Sequence, residues 1–316
     1  MGKVTIIGAG SVGSAIANNI VTMGIFSEIV LVDVNKEKAF GEALDIYQGM
    51  SYCSPAIVHS GDYDAADNSD IVIITSGIAR RPGQSRLELA QTNVNILKDI
   101  TPQIVAHAPN AIYIIVSNPV DVMTYTFTKI SGIPENRIIG SGTALDTARL
   151  QSELARRFHI SPKNVHAHVY GEHGDSSFVP WSLAMIANNH INDYKKNAPD
   201  SEAIEWNNEA DYDVLEEFVR TSGARVIKAK GATFYAVAIC VCHICKCILS
   251  GQGTALTVST MMHGEYGIDD VCLSTLALVD KKGVRGKILN QMTPDEVAKM
   301  QNSAEKLKSV IAQISL

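Results

Sequence analysis

Three glycines near the start of the chain constrain the fold more than any other stretch. Gly8, Gly10 and Gly13 follow an apolar segment at residues 4–7 and precede a run with helical spacing. Gly8 permits a tight turn, Gly10 lets the backbone approach a pyrophosphate, and Gly13 lets a helix pack closely on the strand before it. The pattern predicts a strand–turn–helix unit that binds a dinucleotide.

The residues around this motif indicate which dinucleotide. Ser11 and Val12 begin the predicted helix, whose first N–H groups then face the phosphates. Asp33 ends the next apolar segment about 20 residues beyond the last glycine, where a carboxylate accepts hydrogen bonds from the ribose hydroxyls. Val34 and Asn35 follow it, not a basic residue, which favours NAD over NADP. An ordinary glycine turn, the alternative, would leave Asp33 unexplained.

Apolar strands and amphipathic helices alternate through the first half. This alternation predicts an α/β fold with a doubly wound parallel sheet of the Rossmann type. Ligands bind such sheets beyond the carboxyl ends of the strands, which is where Gly8, Asp33, Thr75 and Asn118 fall. The predicted strands after Asp33 cover residues 57–60, 70–75, 111–116 and 137–140, and the helices cover 36–48, 87–107 and 120–129.

The second half is less regular and predicts an α+β domain. We expect a strand at 164–170, helices at 145–159, 213–230 and 235–249, and an antiparallel hairpin from 256–263 and 271–279. A final helix begins at the cap Thr293, followed by Pro294 and by Glu296, which completes a capping box. We therefore predict an NAD-binding Rossmann domain at residues 1–141 and a substrate-binding catalytic domain at 142–316.

Composition excludes several classes of protein. The chain has 316 residues and a formal net charge of −6, which gives no electrostatic reason to bind nucleic acid or an anionic membrane. No apolar run approaches the roughly 20 residues of a spanning helix, and no export signal is visible. We therefore expect a cytoplasmic protein whose six cysteines are reduced.

Two clusters resemble metal sites but do not predict one. Cys240, Cys242, Cys245 and Cys247 lie in a predicted helix, where they point to different faces and suit buried packing. His166 and His168 share one face of a predicted strand but have no third ligand at suitable spacing. We expect no metal.

A histidine in an unusual setting is the first candidate for catalysis. His173 lies between two glycines, and histidine exchanges protons near neutral pH. An aspartate on the far ring nitrogen would fix its tautomer, and Asp146 is a candidate. Arg149, one helical turn further on, suits a substrate carboxylate because its N–H groups form a bidentate fork.

These motifs together resemble the L-lactate/malate dehydrogenase family over nearly the whole chain. The resemblance implies that His173 gives and takes the proton, Asp146 orients it, Arg149 holds the substrate carboxylate, and Arg86 polarises the C2 oxygen from a closing loop. It also implies a homotetramer. The matching segments are the glycine motif, Ser117-Asn-Pro119, residues 140–149, Gly171-Glu-His-Gly-Asp175 and Lys230-Gly-Ala-Thr233.

The resemblance implies further contacts. Asn118 would lie near both the reacting oxygen and the nicotinamide, before a cis bond to Pro119, and Thr233 would line the substrate pocket. The remaining positions implied to contact the cofactor are Thr75, Gly77, Asn93 and Val116.

Substrate preference is where the motifs disagree. Lactate members of the family carry Gln where this chain has Arg80, and malate members carry Arg to pair with a second carboxylate. Gln84 replaces an acid usual in lactate enzymes. Thr233, Trp181 and the segment around His173 resemble the lactate branch, so the prediction is an L-lactate dehydrogenase. Malate dehydrogenase is the alternative, and a non-catalytic dinucleotide-binding protein is the alternative from another class.

The residues implied to bind a regulatory ligand also differ from the family pattern. Lactate dehydrogenases activated by fructose 1,6-bisphosphate bind it through an Arg and a His. His166 matches the His, but Gln151 stands at the Arg position. Because Gln lacks the charged bidentate fork, we expect little or no activation.

Overall fold

The computed structural model describes residues 2–78 and 85–316, so Arg80 and Gln84 lie outside the described residues. The side chain of Arg86 is likewise not described. The strands are β1 (Lys3–Ile7), β2 (Glu28–Val32), β3 (Ile57–Ser60), β4 (Ile71–Ile74), β5 (Ile112–Ile115), β6 (Ile138–Gly140), β7 (Val165–His166), β8 (Met185–Ile186), β9 (Asn189–His190), β10 (Thr254–His263), β11 (Asp269–Asp280) and β12 (Gly283–Lys287). The α-helices are α1 (Ser11–Thr22), α2 (Lys36–Gln48), α3 (Arg86–His107), α4 (Val120–Ile130), α5 (Ala144–Arg157), α6 (Ile191–Asn197), α7 (Tyr212–Lys230), α8 (Tyr235–Ser250) and α9 (Pro294–Ile311).

The first six strands form the predicted parallel sheet. Their order is β3-β2-β1-β4-β5-β6, with every neighbouring pair parallel. The order reverses between β1 and β4, and ligand crevices form at such a switch point. The four residues of β4 and the four of β5 are all buried, as expected for strands covered on both faces. The predicted doubly wound architecture is confirmed.

The predicted hairpin is present, but it does not form a separate sheet. β10 pairs antiparallel with β11, and Ser259 of β10 pairs with Gly140 of β6. With β12, the described strands thus form one nine-stranded mixed sheet. The periodicity of the hairpin shows which residues are buried but not which sheet edge receives them.

Helices cover both faces of this sheet, and a third core lies outside it. One apolar core includes side chains of α3, α4 and α9. The opposite core includes side chains of α1, α2 and α8, among them Cys242 and Cys245. The third core packs α5 and α7 around Phe158, Trp181 and Trp206. Helix α8, which carries the four clustered cysteines, therefore contributes thiols to core packing. Burial raises the pKa of Cys242 to about 12.

The strand predicted at 164–170 is mostly absent. Only β7 forms there, in a small sheet of order β7-β8-β9 among the described residues. At Val169, side chains take the place of strand-to-strand hydrogen bonds. Thr143 Oγ1 donates to the Val169 carbonyl (2.5 Å), and Val169 N–H donates to Thr147 Oγ1 (2.9 Å). The backbone groups are satisfied without a strand.

The end of the chain agrees with its prediction. Thr293 caps α9, Pro294 is its first residue, and the capping box with Glu296 is complete. Across residues 2–78 and 85–316, no helix has the length and hydropathy required to span a membrane.

Candidate active site

The glycine turn has the geometry that the motif predicts. Gly8 has a φ of +109°, in the region that favours glycine. A Cβ on Gly13 would lie 1.9 Å from the Gly8 carbonyl oxygen, so only glycine allows α1 to approach β1 this closely.

The N-terminus of α1 is open toward a ligand. Gly10 is the cap residue, and no side chain forms a cap hydrogen bond in the described part of the chain. A Cβ on Gly10 would meet no atom within 4 Å. Ser11 is the exposed first residue, followed by Val12. The first N–H groups of the helix are thus available to an anionic group.

Asp33 is held beside this turn. Its carboxylate accepts hydrogen bonds from the backbone N–H groups of Ala9 (2.7 Å) and Asn35 (2.9 Å). It lines a cavity of about 370 Å³ together with Gly8, Gly10 and Gly77. These bonds fix a carboxylate at the edge of a space next to the helix N-terminus, as ribose binding requires.

The segment after β4 closes the other side of this cavity. Thr75 Oγ1 donates to the Gly8 carbonyl (2.9 Å), which joins the two ends at the switch point. Ser76 also lines the cavity, and its buried hydroxyl has no hydrogen-bond partner in the described part of the molecule. An unpartnered buried hydroxyl at a cavity wall fits a polar ligand. Ser76 was not among the residues predicted from the sequence.

Asn93 lies behind the cavity wall. Its Oδ1 accepts from Ile78 N–H (2.8 Å), and its Nδ2 donates to the Asn118 carbonyl (2.7 Å). The residue is 1% exposed. Its amide therefore ties the segment after β4 to the segment after β5, and any effect on a ligand is exerted through those segments.

The three residues predicted for acid–base chemistry and carboxylate binding are in contact. His173 Nδ1 lies 2.5 Å from Asp146 Oδ2, and Arg149 Nη1 donates to Asp146 Oδ1 at 2.9 Å. A carboxylate can only accept, so Nδ1 carries the hydrogen and Nε2 is the free nitrogen of the neutral ring. Asp146 and Arg149 lie one turn apart on α5, which places both side chains on one face.

Electrostatics match this arrangement. The charge of Asp146 raises the pKa of His173 to about 8, against the effect of burial. Burial alone would raise the pKa of the Asp146 carboxyl, but the charge and hydrogen bond of His173, together with Arg149, hold it below its ordinary value. The pair therefore favours an imidazolium beside a carboxylate at neutral pH.

These three side chains line one cavity with residues from the dinucleotide half. The cavity measures about 330 Å³, and its wall includes Val12, Val116 and Asn118 as well as Thr233, which lies just before α8. The Asn118–Pro119 bond is cis, as the resemblance implied. Cys240 also lines the cavity, with a pKa raised by burial to about 11, so its thiol stays protonated.

Two further charged residues at this site were not predicted. Asp121 accepts a hydrogen bond from the backbone N–H of His173 (2.7 Å) and is 2% exposed. Arg220 on α7 lines the cavity and donates to the Ser177 carbonyl (3.2 Å). Asp121 closely follows Asn118 at a strand carboxyl end, which is a signal the sequence offered. Arg220 has no such signal.

The remaining predicted residues lie on α3, α5 and β7. Arg86 is the first residue of α3, directly after its cap Ser85. Gln151 Nε2 donates to the Ala167 carbonyl (3.2 Å), and His166 is exposed on β7. No group of three or more His, Cys, Asp or Glu in the described residues could hold a metal ion.

Comparison with known families decides the class. Residues 2–140 match the model of the lactate/malate dehydrogenase NAD binding domain, and residues 143–315 match that of the lactate/malate dehydrogenase alpha/beta C-terminal domain. The chain belongs to the lactate/malate dehydrogenase family.

Members of this family that resemble the chain cover its full length. L-lactate dehydrogenase 1 of Clostridium acetobutylicum is 43% identical over 312 residues, which is 99% of this chain and 98% of the relative. A lactate dehydrogenase from a Medee basin deep-sea metagenome has a TM-score of 0.94 at 33% identity and covers 100% of this chain and 99% of that one. The minor L-lactate dehydrogenase of Enterococcus mundtii has a TM-score of 0.93 at 37% identity and covers 99% and 98%.

Membership confirms the predicted enzyme class and cofactor. The chain is an oxidoreductase of the lactate/malate dehydrogenase family with an NAD-binding N-terminal part. The glycine turn, the open helix N-terminus, Asp33 and the unpartnered Ser76 hydroxyl all fit NAD.

Proposed function

We propose that this chain is an L-lactate dehydrogenase that interconverts L-lactate and pyruvate. The observation that supports it most is the single cavity that brings His173, Asp146 and Arg149 next to Val12 and Asn118. NAD, when bound, supplies the acceptor for the lactate hydride, and NADH the donor for pyruvate. The relatives named above are L-lactate dehydrogenases, so the malate alternative is not favoured.

His173 would exchange the proton. In pyruvate reduction, Nε2–H donates to the C2 oxygen as negative charge develops there, and in lactate oxidation neutral Nε2 accepts the hydroxyl proton. Asp146 holds Nδ1–H and stabilises the imidazolium that forms. Because the pKa of His173 is about 8, the protonated form required for reduction predominates at neutral pH.

Arg149 would bind the substrate carboxylate. Asp146 takes one of its five N–H groups, so four remain, and two of these can form a bidentate contact. Arg149 borders the same cavity as the imidazole, so this contact would hold the C2 oxygen near Nε2. Arg86 would polarise that oxygen, as the family resemblance implies.

The two halves of the chain would bind different molecules. We propose that residues 1–141 form the NAD-binding domain and residues 142–316 the substrate-binding domain. The cofactor contacts are then Gly8, Gly10, Ser11, Val12, Gly13, Asp33, Thr75, Gly77, Val116 and Asn118, with Asn93 supporting them from behind.

Substrate preference is tested with two keto acids. The ratio kcat/KM with NADH should be higher for pyruvate than for oxaloacetate, and the reverse order would favour malate. Arg80→Gln replaces the side chain that matches malate enzymes with the one that lactate enzymes carry, and should widen the preference for pyruvate. An unchanged preference in that variant would mean that Arg80 does not contact substrate.

Self-association is the second element of this proposal. Phe40 (57% exposed), Leu44 (40%) and Tyr47 (52%) lie on α2 and give it an exposed apolar face. Such a face suits contact with a second copy, and the family resemblance implies a tetramer of identical chains. Light scattering should give four times the chain mass, and Leu44→Glu should lower it. Leu289→Glu changes an exposed apolar residue that follows β12 and serves as the control.

Regulation by fructose 1,6-bisphosphate should be weak. Gln151 has no charge to offer a phosphate, and its amide is already bonded to the Ala167 carbonyl. The KM for pyruvate should change less than twofold when the sugar bisphosphate is added. A large fall in KM would contradict this. Gln151→Arg, which restores a bidentate donor beside His166, is the variant in which a response should appear.

A cytoplasmic location is also proposed. All six cysteines are free thiols, which is the usual state in a reducing compartment. Cell fractionation with an antibody to the chain tests this.

A further inference from the structure

Asp121 is a buried carboxylate whose position the fold alone does not explain. It lies in the first turn of α4 and is 2% exposed. Its Oδ2 accepts from the His173 backbone N–H at 2.7 Å, and its Oδ1 accepts from Ser259 Oγ at 2.6 Å. In the described residues it forms no ion pair with Lys or Arg. Burying a carboxylate without such a pair costs free energy. Packing alone therefore does not explain why an aspartate occupies this position.

The hydrogen bonds of Asp121 to His173 and to Ser259 join three separate parts of the fold. Asp121 follows β5 in the dinucleotide half, and His173 lies in the turn between β7 and β8. Ser259 is the β10 residue that pairs with β6. The neighbours of His173 are held by neutral groups: Gly171 pairs with Ser274, and Glu172 N–H donates to Ser303 Oγ at 2.8 Å. The backbone N–H of His173, by contrast, donates to a charged group, the carboxylate of Asp121.

The charge of Asp121 also acts on the imidazole. After Asp146 it is the second carboxylate that raises the pKa of His173. Burial raises the pKa of Asp121 itself to about 6, while Ser259 and His173 lower it and Glu172 raises it. The carboxylate is therefore ionised at pH 7.5. Cys272, also buried nearby, is neutral because burial raises its pKa.

We propose that Asp121 is a positioning residue of the reaction, which fixes the main chain of His173 and favours its protonated ring through a second negative charge. The inference rests on the proposed role of His173 as proton donor. Asp146 sets the orientation of the ring, and Asp121 sets the position of the backbone that bears it.

Asp121→Asn tests this because it keeps the shape and removes the charge. Asn can still accept from His173 N–H and donate to Ser259 Oγ, so folding should be preserved. The pH at which kcat/KM for pyruvate falls should move down by roughly half a unit, the effect of one partly screened charge several ångströms away. We also expect kcat at pH 7.5 to fall by about tenfold, because a neutral amide oxygen holds the His173 N–H less tightly than a carboxylate does, and small displacements at a reacting group are costly. The Kd for NADH should stay within twofold.

Asp280→Asn is the matched control. Asp280 is also buried (8% exposed) and accepts a backbone N–H, from Lys282 at 2.8 Å. Unlike Asp121, it also forms an ion pair, with Arg285 at 3.5 Å. It has no contact with His173, so its variant should keep the wild-type pH profile and rates. A purely structural role for Asp121 predicts loss of stability in both variants and no pH shift in either.

NMR separates failure of this inference from failure of the proposed function. Titration of ¹⁵N-labelled histidine, with His173 assigned by loss of its signals in His173→Asn, needs no substrate. The midpoint of His173 should be lower in Asp121→Asn than in the wild type even if neither keto acid is reduced. An unchanged midpoint, or a fall in NADH affinity that parallels the fall in kcat, would overturn the inference.

Ser259→Ala covers the case in which Asp121→Asn does not fold. It removes the hydroxyl that holds Asp121 but leaves the charge. We expect a fall in kcat of about threefold with unchanged NADH affinity, because the carboxylate loses one of two anchors. A wild-type kcat in Ser259→Ala would contradict the positioning role.

Discussion

Asp146→Asn keeps the His173 imidazole in the site but removes the charge that acts on it. Asn has nearly the same shape and can still accept a hydrogen bond, but it has no charge. The Asp146 charge is the main cause of the raised pKa of His173, and burial works against it. Without that charge the pKa should return to its ordinary value of 6.5 or below.

The size of the effect follows from the two pKa values. The rise from 6.5 to about 8 corresponds to about 2 kcal/mol in favour of the imidazolium. At pH 7.5 a group with a pKa of 8 is about three-quarters protonated, whereas one with a pKa of 6.5 is about one-tenth protonated. Pyruvate reduction needs the protonated ring, so kcat/KM at pH 7.5 should fall by about eightfold from protonation alone. Loss of ring orientation adds to this.

The assay is kcat/KM against pH in both directions. For the wild type, pyruvate reduction should decline above about pH 8, and lactate oxidation should decline below it, because the two directions need opposite protonation states. In Asp146→Asn both midpoints should move to about pH 6.5 or lower. The Kd for NADH, measured by fluorescence, should not change. Midpoints that stay near pH 8 in the variant would refute this explanation of the His173 pKa.

Three further predictions concern other parts of the site. Gly13→Ala should weaken NADH binding more than tenfold, because the added Cβ would lie 1.9 Å from the Gly8 carbonyl oxygen; fluorescence titration measures it, and unchanged affinity would mean that α1 can shift freely. Arg149→Lys should lower kcat/KM for pyruvate by about 10²-fold while NADH affinity is retained, since an ammonium cannot form the bidentate contact; an equal loss of NADH affinity would argue against carboxylate binding. Thr143→Val should destabilise the chain by about 1–3 kcal/mol in urea, because it leaves the buried Val169 carbonyl without its donor, and a change below 0.5 kcal/mol would contradict that bond.

Much of the fold was predictable because its signals are local. The glycine turn, the buried parallel strands and the capping box of α9 each depend on residues close together in the chain. The strand predicted at 164–170 forms only at Val165–His166. Further on, the backbone groups of Val169 bond to the side chains of Thr143, the cap residue of α5, and of Thr147 on α5. The joining of β10 to β6 was not visible either, since the pairing of Ser259 with Gly140 depends on register over more than 100 residues.

The candidate site shows the same division. His173, Asp146 and Arg149 were identified from neighbouring glycines, helical spacing and family resemblance, and the structure brings them together. The position of Asp121 after Asn118 marks it as a candidate, but its role depends on a bond to a backbone N–H far along the chain, which that position alone does not reveal. Ser76 was missed because an unpartnered hydroxyl is defined only by its surroundings.

The most direct test of the account is hydride transfer from NADH to pyruvate in His173→Asn, measured in a single turnover by stopped flow at pH 7. General acid–base groups contribute roughly 10²–10⁴-fold, so the transfer rate should fall by at least 10²-fold while NADH binds as in the wild type. A rate within threefold of the wild type would show that the proton on the C2 oxygen does not come from this imidazole, and the mechanism proposed for the site would be wrong.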